Sequence, residues 1–297
     1  LIHLIDASVF VFRAYFSIPL DMTAPDGAPV NAVYGYARFL LDYLEDLGRR
    51  SPGDELAVAF DESLTSSFRN EIYPAYKANR ELPPPELEAQ FEHCRALTGL
   101  LGVAHYADRR YEADDIIGTL AARRRAAGCA ATIVTRDKDL AQLVRAGDVF
   151  LNPVDRKRFG YDQIAERFGA PPERLPDYQG LVGDKVDNIP GVPGIGPKTA
   201  TALVAGLGTL EQIFDAPEDV AALPLRGAAR LPERLAAHRE AAFLSRELAR
   251  IVTDMGLPAS DDLRPGPADA DGLDALSDRL GFGDGLRRRF RRLADGP

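Results

Sequence analysis

Short apolar runs that end on a carboxylate punctuate the first half of the chain. "LIHLID" (1–6) and "ELAVAFD" (55–61) are too short for helices and apolar almost throughout, so each predicts a buried strand, ending at Asp6 and at Asp61. "VAHY" predicts a third strand. "ATIVTRDKD" predicts a fourth that carries Asp137 and Asp139. Between them the period lengthens. In "NAVYGYARFLLDYLEDLG" Val33, Ala37, Leu40, Leu41, Leu44 and Leu47 share one helical face, with Gly48 as the stop. "PELEAQFEHCRALTGLLG" and "YEADDIIGTLAARRRAAG" predict two further helices. Strand alternating with helix predicts an α/β domain, a mostly parallel sheet covered by helices. Beyond about residue 160 the strands thin out. "YDQIAERFG", "PERLPDYQGLVG", "PKTATALVAGLG", "TLEQIF" and "ERLAAHREAAFLSREL" predict a mostly helical second region, from about 173 to the end.

Composition narrows the class. The hydrophobic fraction of 45% and charged fraction of 27% suit a soluble globular chain. No apolar run approaches the roughly 20 residues needed to span a bilayer, and the N-terminus lacks the basic flank and cleavage site of a signal peptide. The expectation is a cytoplasmic protein without a membrane partner. Cys94 and Cys129 are too few for a disulfide framework, and the four histidines are scattered, which argues against a zinc site.

The acids carry the chemistry. Glu112, Asp114 and Asp115 open a predicted helix, and Asp137 and Asp139 point the same way if their strand continues that far. In an open parallel sheet the strand ends and following helix starts gather along one edge, where ligands bind. A single strand-end Asp is more readily a helix cap. Seven acids at one edge would repel and resist ionisation unless cations were present. Magnesium takes oxygen ligands and few direct carboxylates. So rich a set suggests two ions, about 3.5–4 Å apart, which activate a water and stabilise the leaving oxygen in phosphodiester cleavage.

"LVGDKVDNIPGVPGIGPKTA" (181–200) adds Asp184 and Asp187. Removing these nine acids from the 45 in the chain leaves 36, against 36 bases. The net charge of -9 therefore equals this one set, and the remaining surface can carry basic patches for nucleic acid. The same segment runs into a glycine turn. It is neither a P-loop, because Pro197 separates Gly196 from Lys198, nor a dinucleotide fingerprint, because Thr199 replaces the third glycine. A turn with Gly194 and Gly196, then a helix opened by Pro197, Lys198 and Thr199, offers backbone N–H groups to a phosphate without reading bases. A plain helix–helix turn is the other reading.

The connection "DESLTSSFRNEIYPAYKANRELPPP" (61–85) is long for a compact domain and suggests a functional arch. Its Arg69, Lys77 and Arg80, interleaved with Phe68, Tyr73 and Tyr76, suit a single strand or frayed end; a solvated loop anchored by aromatics is the alternative. "LRRRFRRL" near the C-terminus is read as a solvated helix face rather than a nucleic-acid contact.

With these residues in hand the chain resembles the 5′-nuclease family, specifically the bacterial 5′→3′ exonuclease of the DNA polymerase I N-terminal type in its stand-alone form, with flap endonucleases more distant. The resemblance runs through "LIDAS…FRAYF", "NAVYGYARFL", "VAFDE…SFRNEIYPAYKANR", "YEADDIIGTLA", "TRDKDLAQLV", "LVGDKVDNIPGVPGIGPKTA" and "LSRELARIVTD". It implies a PIN-like nuclease domain over 1–172 with an arch at about 62–85. It also implies a helical DNA-binding region over 173–297, with a helix–three-turn–helix element at about 181–206. It implies a first Mg²⁺ or Mn²⁺ site at Asp6, Asp61, Glu112, Asp114 and Asp115, and a second at Asp137, Asp139, Asp184 and Asp187. Arg69, Tyr76, Lys77 and Arg80 would engage the scissile region, with Lys77 and Arg80 catalytic. Gly194, Gly196, Lys198 and Thr199 would grip duplex backbone, and carbonyls of Val192 and Ile195 would hold K⁺. The implied partner is DNA with a free 5′ end or flap, or an RNA–DNA primer, met by a monomer. Two positions depart from the pattern: Ala7 and Arg136 stand where glycine is common in relatives. A branched-DNA-binding protein with little catalysis is the alternative of another class; a small acidic-site ribonuclease is a third reading.

Overall fold

The computed structural model describes residues 1–62, 66–258 and 262–295. In chain order the elements begin β1 (Ile2–Asp6), α1 (Ala7–Ser17), α2 (Asn31–Arg50), β2 (Glu55–Asp61), α3 (Phe68–Ile72), α4 (Pro85–Leu100), β3 (Ala104–Asp108), α5 (Ala113–Ala126) and β4 (Ala131–Val134). They continue with β5 (Val149–Leu151), β6 (Arg158–Phe159), α6 (Tyr161–Phe168), α7 (Leu175–Val182), α8 (Pro197–Leu207), α9 (Leu210–Asp215) and α10 (Pro217–Ala222). The last are α11 (Leu231–Ala237), α12 (Arg239–Ala249), α13 (Ala270–Leu280) and α14 (Asp284–Ala294).

Two compact units emerge. The first comprises the described residues of 1–64, 82–135 and 253–297. Its strands are parallel in the order β3-β2-β1-β4, with Ile5 opposite both Val58 and Val134. Every residue of β1 is buried, as a mostly apolar strand requires when both faces are covered, and the buried His3 is satisfied by Tyr43 and Asp54. Helix α5 packs along β1 to β4, while α1, α2 and α4 pack on one another. Ile2, Leu4, Ile5, Phe60, Ile116 and Ile133 are fully buried. Each such side chain stabilises the unit by about 1.5–3 kcal/mol. Helix α2 buries the predicted face but runs through Gly48 to Arg50, and stops where the Ser51 N–H bonds to the Leu47 carbonyl.

The second unit comprises the described residues of 65–81 and 136–252. It holds the antiparallel pair β5–β6, which no sequence pattern announced, and helices α3 and α6 to α12. Arg246 braces it: one nitrogen donates to Asp177 Oδ1 at 2.9 Å, another to Glu211 Oε1 at 2.6 Å. The Arg246 hydrogen bond holds the Glu211 carboxyl down to about 2.

These units are not the stretches 1–172 and 173–297. The tail returns to the first unit because α13 and α14 bury Leu273, Leu276, Leu280, Leu286 and Phe290 there. Its approach is pinned by Arg123, which donates to the Met255 and Leu257 carbonyls. The basic run on α14 serves the same docking. Arg289 donates to Asp42 and Glu45 of α2, and Arg287 and Arg291 donate to Asp278 and Asp274 of α13.

Two further expectations are corrected. "TRDKD" is not strand: β4 stops at Val134, and the Asp137 carboxylate caps a 3-10 turn over Lys138–Leu143. The predicted helix 233–248 breaks at His238 into α11 and α12.

Candidate active site

The structure divides the nine acids between the units. Asp6, Asp61, Glu112, Asp114 and Asp115 fall in the first, and Asp137, Asp139, Asp184 and Asp187 in the second.

In the first unit Asp6 and Asp61 stand at the C-terminal ends of neighbouring parallel strands. Both are oriented by neutral donors. The Ser8 hydroxyl donates to Asp61 Oδ2 at 2.6 Å, and the Ala113 N–H at the head of α5 donates to Asp61 Oδ1 at 2.9 Å. Asp6 accepts from the Thr135 hydroxyl at 2.9 Å and from the Ser8 N–H at 3.1 Å, so it is also the cap of α1. Asp115 is fully buried and accepts from the Glu112 N–H at 3.1 Å. A carboxylate oxygen that accepts one hydrogen bond keeps another lone pair for a cation, and such outer partners fix its aim.

In the second unit the carboxylates meet cations. Lys138 Nζ donates to Asp184 Oδ2 at 2.6 Å, and Arg80 pairs with Asp187. The Lys77 charge reaches Asp137. Asp137 accepts from the Asp139 N–H at 2.9 Å, which brings the two together through a cap rather than along a strand face. Gln179 Nε2 donates to Asp139 Oδ1 at 2.5 Å. Burial and then the Asp137 charge push the Asp139 carboxyl up to about 8. At Asp184 burial pulls upward, but the Lys138 hydrogen bond and charge prevail and hold it below the ordinary carboxylate range.

Asp184 and Asp187 sit on a closed loop. Asp184 and Ile189 exchange backbone hydrogen bonds at 2.9 and 2.7 Å, and the Val192 N–H bonds back to Leu181 at 2.8 Å. Gly183 and Gly191 cross at its neck with positive φ. A Cβ on Gly191 would lie 2.4 Å from the Gly183 nitrogen, so neither position admits a side chain without opening the loop. Residues 75–80 are fastened to this loop. The Lys77 N–H donates to the Asp187 carbonyl at 2.9 Å, Asn188 Nδ2 to the Ala75 carbonyl at 2.6 Å, and Asn79 Nδ2 to the Lys185 carbonyl at 2.8 Å. Lys77 and Asn188 both adopt φ near +56, uncommon for Lys, which these bonds hold in place.

The arch expectation therefore changes. Residues 63–65 of it lie outside the described residues. The part from 66 to 81 is anchored by the buried Ser67, Arg69 and Tyr76, while Ile72 and residues 78–81 are exposed. Tyr76 is buried against Ile189, Leu248 and Ala249. Arg69 is 2% exposed and donates to the Leu248 and Arg250 carbonyls at 2.8 and 2.9 Å. Those two expected DNA contacts are thus committed to packing. Lys77, with its ammonium 5.0 Å from the Tyr76 ring centre, and Arg80 remain at the acid group.

In the glycine turn Gly194 has positive φ, and Gly194, Gly196 and Lys198 are exposed. Gly196 caps α8 without a side chain, and Pro197 takes its first position. Thr199 is half-buried in the first turn of α8. The side chains of Val192 and Ile195 are buried, and the Val192 carbonyl already accepts from the Ile195 N–H at 3.0 Å. Arg234 donates to the Gly194 carbonyl at 3.1 Å.

Lys138 is the residue that sequence reasoning passed over. The signal was available: the chain has only five lysines, and this one separates two candidate ligands. As the side chains stand, no three His, Cys, Asp or Glu groups among the described residues form a ready-made ion cage. The donor chemistry nonetheless fits divalent ions. The set is carboxylate oxygen throughout, suited to magnesium or manganese, and ionising Asp139 among its neighbours calls for a cation.

Comparison with known proteins agrees with this fold. Residues 1–169 match the family described as 5′-3′ exonuclease, N-terminal resolvase-like domain, and residues 170–271 match 5′-3′ exonuclease, C-terminal SAM fold. DNA polymerase I of Pseudomonas aeruginosa is 41% identical over 281 residues, covering 94% of this chain and 30% of the relative. DNA polymerase I of Bacillus caldotenax is 38% identical over 284 residues, covering 94% and 31%. The chain thus spans about a third of the length of these relatives. Among solved structures, the T5 D15 protein co-crystallized with metal ions superposes with a TM-score of 0.66 at 20% identity, over 99% of this chain and 98% of that one. The catalytic core of Rad2 in complex with DNA substrate gives 0.63 at 15%, over 98% and 91%. At these identities the two structures speak to the fold. Among the described residues no helix is long and apolar enough to cross a membrane.

Proposed function

The chain belongs to the 5′-3′ exonuclease family and is a nuclease, and on that premise we propose that it cleaves DNA from free 5′ ends and 5′ flaps, RNA–DNA primers included, with magnesium or manganese. It would work as a monomer in the cytoplasm. Asp6, Asp61, Glu112, Asp114 and Asp115 would hold one ion, and Asp137, Asp139, Asp184 and Asp187 the other. When bound, such ions polarise the phosphodiester and lower the pKa of water. The chain supplies the rest. Ser8 and Thr135 aim the Asp61 and Asp6 carboxylates. Lys77 and Arg80 offset negative charge gathering on the phosphate oxygens. The N–H groups at the head of α8, with Lys198 and Thr199, hold duplex phosphates away from the cut, and K⁺ would take the Val192 and Ile195 carbonyls. Asp184 and Asp187 lie a few residues before this grip, so the closed loop would fix the distance from grip to cut.

The crowding of Asp139 by three other carboxylates supports this reading best, because it makes the second group a cation trap. The test is a cleavage assay on 5′-labelled flap, nicked and single-stranded DNA in magnesium and in EDTA. Cleavage should need the ion, and Asp61→Asn and Asp115→Asn should each abolish it. Variants that cleave at near wild-type rate would overturn the assignment. Flap binding in calcium without cleavage in magnesium would instead favour a branched-DNA-binding protein.

A further inference from the structure

Lys138 lies between two carboxylates of the second acid group and bonds to a third. Its ammonium donates to Asp184 Oδ2 at 2.6 Å, and Asp137 and Asp139 attract it as well. The pair is lopsided. The Asp184 side chain is only 8% exposed, whereas that of Lys138 is 59% exposed. The ammonium therefore covers the carboxylate from the solvent side and can leave without opening a core. Its backbone stays fixed meanwhile, because Asp137 caps the turn in which it sits. Asp184 is held independently, by the Val186 N–H on Oδ1 at 2.8 Å.

We infer that Lys138 is a resident counter-cation, which occupies Asp184 in the ion-free protein and is displaced when a divalent ion binds the second acid group. The inference rests on the proposed role of that group in ion binding. A lysine ammonium that bonds to the carboxylate oxygen required by an ion competes with it directly. The ion carries twice the charge, and a half-exposed ion pair is weak enough to yield. The long, flexible lysine stem returns to water at little cost. The effect is to keep an acid-crowded group partly neutralised until its ion arrives, and to set how much ion is needed. Displacement also leaves an ammonium without its carboxylate, available to an incoming phosphate.

Manganese binding, measured without DNA by the electron paramagnetic resonance of the free ion, tests this on the wild type, Lys138→Met, Lys138→Arg and Asp184→Asn. Lys138→Met should bind manganese about tenfold more tightly, while Lys138→Arg, which keeps the charge, should stay within about threefold of the wild type. A second measurement uses the unaltered protein. Acetylation of Lys138 by an amine-specific reagent, followed by mass spectrometry, should rise several-fold with saturating calcium. Acetylation of Lys157, which pairs with Asp155 at 3.1 Å, should not change. Unchanged or weaker manganese binding in folded Lys138→Met, or calcium-independent acetylation of Lys138, would overturn the inference alone. Manganese binding that Asp184→Asn leaves untouched would overturn the ion-binding role of the group as well.

Discussion

Asp61 and Asp184 are the same residue type, each proposed to offer oxygen to a cation, and the molecule holds them in opposite ways. Asp61 is aimed by a serine hydroxyl and a helix-head N–H, both neutral. Asp184 is aimed by a backbone N–H and by an ammonium. Neutral donors fix direction and leave the negative charge intact, whereas a cation fixes direction by cancelling it. Asp61 is thus oriented in advance by its neutral donors, whereas Asp184 is oriented and compensated at once. Acid clusters of similar composition can therefore differ in what an arriving ion has to displace.

The strongest way to break this comparison is to remove charge from the oriented group. Asp61→Asn keeps the size of the side chain but loses its charge and one of its two acceptor oxygens. Single-turnover cleavage of a 5′-flap duplex should fall by at least about 10³-fold. A loss below tenfold would mean that orientation, not charge, is what Asp61 supplies. Next in size is the contrast between two arginines of one segment. Arg69→Ala leaves two carbonyls without a buried charged donor and should cost about 3 kcal/mol in urea unfolding. Arg80→Ala removes a half-exposed ion pair and should cost about 1 kcal/mol or less while slowing cleavage far more. If the two ranked the other way, Arg69 would regain the DNA-facing role that its sequence context suggested.

A smaller effect is expected at Ser8. Ser8→Ala frees Asp61 Oδ2, and manganese affinity of the first group should drop about tenfold with little change in melting temperature. The smallest effect is on stability and follows from the raised Asp139 pKa. The folded protein binds this proton more tightly than the unfolded chain does, since the carboxyl is shifted from 3.8 to about 8. Its contribution is full below pH 3.8 and is lost as pH rises through about 8. In EDTA the wild type should therefore lose more stability than Asp139→Asn between pH 6 and 9, by about 2–4 °C in melting temperature, or about 1 kcal/mol after solvent screening. The same proton must leave when an ion binds. Manganese affinity of the second group should then climb with pH and level off above about 8.

Much of the first unit was legible. A short, mostly apolar run such as "LIHLID" has few ways to fold other than as a buried strand, and its terminal Asp falls where strand ends meet helix heads. The Asp residues are caps as well, since Asp6, Asp137 and Asp184 all accept backbone N–H bonds, so capping and the proposed ion binding are not exclusive. Other features were hidden for physical reasons. Arg69 looks like a free cation in a basic, aromatic stretch because its acceptors, the Leu248 and Arg250 carbonyls, lie some 180 residues away in the chain. Asp137 and Asp139 have strand spacing, yet a local bond from the Asp139 N–H to the Asp137 carboxylate outcompetes the ladder. The return of the described residues of 253–297 to the first unit depends on apolar faces of α13 and α14, whose partners no local pattern names.

Residues 75–80 and 184–188 are joined by backbone and amide bonds that depend on chain geometry more than on side-chain charge. For protein engineering, the transplantable piece is consequently discontinuous. A segment spanning 66–81 swapped in from a relative would arrive without the carbonyls and the left-handed asparagine against which it was shaped. Chimeras that exchange both stretches together should keep Lys77 and Arg80 in register with the acid loop, while those that exchange one should mispair at the seam.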